Sequence, residues 1–213
     1  MSNIRFILFD AANTLIHKPD LWDRMLAALA KHGHRVDPHE LKFKHKLVSE
    51  LIHFPDNTSS DFYRTFNAEL LYALGIIPHD ELLNDVFAAC TYLPWRAFED
   101  TTGLKDLPLE KGILSNFNTS LADKINDMFG GIFSKIITSE EMKCAKPSME
   151  FYRGAAALLP YKPEEILYIG DSLKLDMEPA VKLGMTAYLI DRSNVYSNFP
   201  NRLSSLEQIK ELL

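Results

Sequence analysis

The sequence predicts an α/β protein, a parallel sheet core with a bundle of helices inserted after its first strand. Three observations predict it. A short apolar run, Ile4-Arg5-Phe6-Ile7-Leu8-Phe9, opens the chain in the manner of a strand buried on both faces. From about residue 20 to 93 the apolar period becomes helical, with no strand among the segments. From residue 99 onward, apolar runs of strand length alternate with amphipathic runs of helical length, which favours a parallel sheet covered on both faces.

Each element has its own warrant. In the helical segment Leu21, Met25, Leu26 and Leu29 share a face, as do Leu41, Leu47, Val48 and Leu51. Phe62, Phe66, Leu70 and Leu74 form a third set, and Leu82, Leu83, Val86 and Phe87 a fourth. Gly33 closes the first helix, Pro38 opens the second, Pro55-Asp56-Asn57 separates the second from the third, and Gly75 with Pro78 ends the third. Beyond residue 99, Gly112-Ile113-Leu114-Ser115-Asn116 reads as a strand, and Asn118 or Thr119 can cap a helix running to Phe129. Lys135 to Thr138 is a strand, followed by a helix from Ser148 to Leu159. Ile166 to Asp171 is a strand, a helix runs on to Leu183, and Met185 to Ile190 is the last strand. The whole is a Rossmann-like core made of residues 1–15 and 99–213, with residues 16–98 as the helical insertion.

Composition bounds the partners. Over 213 residues, a hydrophobic share of 46% and a charged share of 24% describe an ordinary globular chain. A net charge of −6, with acids and bases interspersed, argues against adhesion to nucleic acid or to an anionic membrane. The run from Ile4 to Phe9 is too short to span a bilayer and is broken by Arg5, so neither a signal peptide nor a membrane span is expected. Cys90 and Cys144 stand alone, without metal-ligand spacing, and read as free thiols of a cytoplasmic protein.

In an open α/β sheet, ligands bind beyond the carboxyl ends of the strands. Asp10, Ser115 and Asp171 all fall at such ends and are expected to converge. With their neighbours they resemble the signatures of the haloacid dehalogenase superfamily. Asp10-Ala11-Ala12-Asn13-Thr14-Leu15 stands against the family's D-x-D-G-T-L. Ser115 ends an apolar strand, Lys146 precedes Pro147-Ser148 and a helix, and Gly170-Asp171-Ser172-Leu173-Lys174-Leu175-Asp176 matches G-D-x-x-x-x-D. The resemblance spans essentially the whole chain.

It implies a magnesium-dependent hydrolase, in most members a phosphatase. Asp10 would attack phosphorus and form an aspartyl-phosphate. Mg²⁺ would be held by Asp10, Asp171 and the main-chain carbonyl of Ala12. Lys146 would offset charge on the nucleophile and the phosphoryl oxygens, while Ser115 and Asn116 with nearby N–H groups would bind those oxygens. Asp176 would orient metal-bound water or Lys146. Asn13 replaces the usual glycine, and asparagine tolerates a positive φ better than other side chains. The insertion resembles the family's mobile cap, which implies a small phosphorylated substrate rather than a bulky protein. Trp22, Phe43, Phe62, Tyr63 and Phe66 recur at helical spacing, so bundle core is the first reading for them.

Ala12 departs from the pattern. The family's second aspartate protonates the leaving alcohol and then deprotonates the attacking water; an alanine does neither. Phosphonoacetaldehyde hydrolases of the family also carry alanine there and use an insertion lysine, for which Lys42, Lys44 and Lys46 are candidates, although three lysines on one polar helix read first as a solvated face. His17 is a candidate replacement acid/base. A catalytically weak phosphoryl-binding or regulatory protein is the alternative from another class.

Overall fold

The computed structural model describes residues 3–52 and 59–213. His53 and the expected break at Pro55-Asp56-Asn57 lie outside the described residues. The chain divides into two compact units, one of the segments up to His17 and from Arg96 onward, the other Lys18–Trp95.

The strands described in the first unit are β1 (Phe6–Phe9), β2 (Ile16–His17), β3 (Arg96–Ala97), β4 (Glu110–Ser115), β5 (Lys135–Thr138), β6 (Ile166–Gly170), β7 (Thr186–Ile190) and β8 (Arg202–Leu203). Six of them form one sheet in the order β5-β4-β1-β6-β7-β8, and every neighbouring pair is parallel. β1 lies between β4 and β6 with all four residues buried, which is why its apolar run is unbroken rather than alternating. Phe9 stands in register with Ile113 on one side and Ile169 on the other. The chain moves outward from β1 to β4 and β5, then returns to β6, β7 and β8 on the opposite side. That reversal opens a crevice beyond the carboxyl ends of β1, β4 and β6.

Helices Leu121–Phe129, Met149–Ala157 and Glu178–Leu183 accompany the sheet. Phe151, Tyr152, Ala155 and Ala180 join Phe6, Leu8, Leu114, Tyr168 and Leu189 in one buried cluster. Ser148 caps its helix, its hydroxyl accepting from the Glu150 N–H at 3.2 Å. The Leu121 helix starts later than expected. Ser120 holds the cap position, and Asn118 instead folds the preceding turn by accepting from the Ser120 N–H at 3.1 Å. The expected helix ahead of Leu183 opens as a π-helical turn, Leu173–Met177.

The second unit contains α1 (Leu21–Lys31), α2 (Pro38–Leu51), α3 (Ser60–Ala73) and α4 (Asp80–Cys90). Asp37 caps α2 by accepting from the N–H groups of His39 and Glu40 at 2.9 and 3.0 Å, with Pro38 at the first helical position. Gly33 and Gly75 follow α1 and α3 with φ of +81° and +75°, the left-handed turn that ends a helix. Met25, Leu29, Leu41, Val48, Phe66, Leu70, Leu82, Leu83 and Val86 form the core of this unit. Leu51 does not join it and is 76% exposed at the end of α2, while Leu71 takes a buried place instead. Phe43 and Tyr63 are exposed and Phe66 is buried, so only part of the expected aromatic core is interior.

The division between units falls at His17 and Arg96, against the expected 15 and 99. β2 and β3 pair antiparallel, Ile16 with Ala97 and His17 with Arg96, and two-residue strands carry too little pattern to be read in advance. No described helix is long and apolar enough to cross a membrane.

Candidate active site

Three strand ends deliver the polar groups. Asp10 follows β1, and its N–H donates to the Ile169 carbonyl of β6 at 2.8 Å, continuing the ladder one residue past the strand. Ser115 ends β4, and Asp171 follows β6. Lys146 comes from a loop and is fixed there by Asn116, the residue after β4. The Asn116 side chain accepts from the Lys146 N–H at 2.7 Å and donates to the Lys146 carbonyl at 3.1 Å. Both polar ends of the Asn116 amide therefore hold the Lys146 main chain.

The ammonium of Lys146 lies 2.7 Å from Asp10 Oδ1 and 2.7 Å from Asp176 Oδ1. Ser115 Oγ donates to the same Asp10 oxygen at 3.4 Å. Asp10, Ser115, Lys146 and Asp176 are all buried, whereas Asp171 is half-buried. One carboxylate oxygen from each of Asp10, Asp171 and Asp176 lies within 4.8 Å of the other two. The structure thus brings together five of the expected side chains, drawn from distant parts of the chain.

The electrostatics follow from three carboxyl groups around one ammonium. Burial pushes the Asp10 carboxyl up to about 7; Lys146 opposes that shift, while Asp176 and Asp171 reinforce it. For Lys146, burial by itself disfavours the charge, but Asp10 and Asp176 more than offset it and raise its pKa. A buried Asp10 carboxyl that the lysine leaves hard to ionise, with a second carboxylate from Asp171 beside it, fits a divalent cation with hard oxygen preference. Asp10 and Asp171 are placed to hold such an ion, and Asp176 is taken up by Lys146.

Two tyrosines complete the floor of the site, and nothing in the sequence singled them out. The Tyr168 hydroxyl donates to Asp176 Oδ1 at 2.9 Å, and the Ser172 N–H donates to Asp176 Oδ2 at 3.0 Å. Tyr152 donates to the Leu175 carbonyl at 2.7 Å and lies 3.2 Å from the Tyr168 hydroxyl. Burial raises the pKa of both phenols, so both remain donors. Asp176 is thereby held on each oxygen, and through it Lys146. A buried tyrosine on a strand or helix reads in sequence only as core.

Gly170 admits this arrangement. A Cβ built there would stand 2.5 Å from Asp176 Oδ2 and 2.6 Å from its Cβ. Gly170→Ala is therefore expected to displace Asp176 and, with it, Lys146. A displacement of that kind costs roughly 10²-fold in turnover. Steady-state kcat, compared at matched thermal stability, checks this.

Ala12 is half-buried and forms a bridge with Ile16. Asn13 adopts φ +60°, as its replacement of glycine predicts. His17 is not part of the constellation. Its ring stacks on Phe98 with centroids 4.0 Å apart, and burial, then the nearby Arg192 guanidinium, lowers its pKa. In the second unit, Lys42 lies over Trp22 at 5.9 Å and Lys46 pairs with Glu50 at 3.6 Å.

Comparison with known proteins bears on the family and the fold. Residues 4–184 match the protein-family model described as haloacid dehalogenase-like hydrolase. The glyceraldehyde 3-phosphate phosphatase of Methanothermobacter thermautotrophicus is 27% identical over 194 residues, 79% of this chain and 81% of that protein. The (S)-2-haloacid dehalogenase 1 of Pseudomonas sp. is 26% identical over 100% of this chain and 98% of its own length. Three further relatives are matched over only 23%, 50% and 26% of their own length. Among solved structures, the HAD-hydrolase YfnB of Bacillus subtilis, bound to magnesium, is similar in fold. Its TM-score is 0.65 at 17% identity, covering 99% of this chain and 98% of that one.

Proposed function

Because this chain belongs to the haloacid dehalogenase-like hydrolase family, we propose that it is a magnesium-dependent phosphatase of a small phosphorylated metabolite, working through an aspartyl-phosphate on Asp10. The observation that carries the reading is the 2.7 Å contact of Lys146 with Asp10 at the mouth of the sheet, beside the clustered oxygens of Asp171 and Asp176. The phosphatase relative supports it.

Lys146 and Ser115 engage Asp10 Oδ1. Oδ2 is then the oxygen assigned to attack. Its lone pair forms the new bond to phosphorus as the ester P–O bond breaks and the alkoxide leaves. Asp176, braced by Tyr168 and Ser172, keeps Lys146 aimed at Asp10, and the ammonium offsets charge on the attacked phosphoryl group. Ser115, whose hydroxyl carries one proton and rests 3.4 Å from Asp10 Oδ1, would turn that proton to a phosphoryl oxygen once substrate is bound. Water then attacks phosphorus, cleaves the acyl phosphate and restores the Asp10 carboxylate. Mg²⁺, held by Asp10, Asp171 and the Ala12 carbonyl, would supply the remaining positive charge.

Neither proton transfer has a side chain at position 12 to carry it. Turnover is therefore slow on alkyl phosphates and faster on aryl or acyl phosphates, whose leaving groups need no proton. The test is phosphate release from a panel of phosphate esters with Mg²⁺. EDTA is expected to abolish release and added Mg²⁺ to restore it; release that continues in EDTA contradicts the reading.

The full-length match to a haloacid dehalogenase favours a second reading, in which Asp10 displaces halide from a 2-haloacid. Gly170-Asp171 and the acidic cluster weigh against it, since carbon attack by a carboxylate needs no cation. Halide release without phosphate release would favour that second reading.

A further inference from the structure

Arg192, two residues beyond β7, reaches back to the turn that follows Asp10. Its Nη1 donates to the Asn13 carbonyl at 3.1 Å and its Nη2 to the Thr14 carbonyl at 2.9 Å. The same guanidinium forks onto Asp100, with Nε to Oδ2 and Nη2 to Oδ1 both at 2.8 Å. Its carbon stands 3.8 Å from the centre of the Phe98 ring. Asp100 is anchored in turn by the Leu206 N–H at 3.1 Å, and the Phe98 N–H donates to the Leu15 carbonyl at 3.0 Å. Three successive carbonyls, those of Asn13, Thr14 and Leu15, are thereby tied to one assembly.

The turn's own backbone bonds, Asn13 N–H to the Ile16 carbonyl at 2.7 Å and Leu15 N–H to the Ala11 carbonyl at 2.8 Å, hold it from within, and the Arg192 assembly adds a hold from outside. Asn13 sits at φ +60°, a conformation that costs a residue with a Cβ, and the peptide orientation at Ala12 depends on its being kept. Arginine suits the task, because a planar fork can meet a carboxylate with one edge and main-chain carbonyls with the other while stacking on a ring. A lysine at this position, a point charge without the planar fork, could not meet Asp100 with two parallel bonds while also reaching both carbonyls and stacking on Phe98.

We propose that Arg192 is a positioning residue that sets the Ala12 carbonyl for cation binding, acting through the Asn13–Thr14 turn and braced by Asp100 and Phe98. The inference rests on the proposed cation-dependent function. It adds a residue remote from the four motifs.

The test measures Mn²⁺ binding by electron paramagnetic resonance, without substrate, for the native chain, Arg192→Lys, Asp100→Asn and Asp171→Asn. Arg192→Lys is expected to bind Mn²⁺ roughly 10–100-fold more weakly and to alter the bound-ion spectrum, as loss of an outer support to a ligand does. Asp100→Asn, which keeps the guanidinium but breaks its fork, is expected to weaken binding in the same direction and stands as the test if Arg192→Lys does not fold. Variants with native Mn²⁺ affinity and spectrum, whatever their thermal stability, overturn the positioning role. If the native chain binds no Mn²⁺, or Asp171→Asn binds it unchanged, it is the cation-dependent function that fails instead, and the proposal falls with it.

Discussion

Ala12→Asp is expected to raise the rate of alkyl phosphate hydrolysis by roughly 10²–10⁴-fold, the usual worth of a positioned general acid–base. Residue 12 lies two positions past Asp10, in the turn that the Ala12–Ile16 bridge and the Asn13 φ of +60° define. A carboxyl group there would serve both half-reactions, giving a proton to the departing alkoxide and taking one from water. Aryl phosphates should gain less, because only the second half-reaction needs help. With the native chain and an aryl phosphate, the same reasoning gives a burst of leaving group followed by slow turnover, since formation of the aspartyl-phosphate outruns its hydrolysis. Rates for an alkyl and an aryl ester, in both chains, check this. An unchanged rate in the variant, with metal binding intact, would favour a phosphoryl-binding or regulatory protein.

Asp10→Asn is expected to lower turnover by ~10⁴-fold or more, as loss of a covalent nucleophile does. In metal-free protein it should also increase stability, and in a pH-dependent way. The Asp10 carboxyl titrates at about 7 in the folded chain against 3.8 when unperturbed, because burial and the neighbouring Asp176 and Asp171 outweigh Lys146. Below the lower value both states are protonated, and Asp10 neither adds nor removes stability. Between the two, the folded chain keeps a proton that the unfolded chain has lost, so stability falls as pH rises. Above about 7 the penalty is complete and amounts to roughly 4 kcal/mol at most. Asparagine carries no such penalty and can still accept from Lys146. Urea denaturation in EDTA at pH 4 and pH 8 checks the sign: the advantage of Asp10→Asn should be near zero at pH 4 and largest at pH 8. An advantage independent of pH would contradict this account of the electrostatics.

Much of the core was legible for plain physical reasons. β1 is buried on both faces, so its composition announces it, and a carboxylate directly after such a strand must face the crevice. The helical insertion was legible because each helix buries one face, though the pattern ran one position too far at Leu51, where α2 ends in solvent. Partners that act through geometry rather than composition were not legible. Tyr168 looks like a core residue until its hydrogen bond to Asp176 is seen, and Asn116, expected beside the phosphoryl oxygens, shows only in the structure that its side chain holds the Lys146 main chain. Arg192 contacts main-chain carbonyls 178 and 179 positions away, and a carbonyl leaves no mark in a sequence. The short pairing of β2 with β3 joins distant segments, and the π-helical turn at Leu173–Met177 rests on a local bond from the Met177 N–H to the Ser172 carbonyl at 3.0 Å, neither of which periodicity encodes.

The most direct measurement is acid quenching during turnover of an aryl phosphate with Mg²⁺, followed by mass spectrometry of the peptide that contains Asp10. A phosphoryl group on Asp10, absent from Asp10→Asn, is the expected result. Phosphate release at the native rate with Asp10 never modified would contradict the account at its centre.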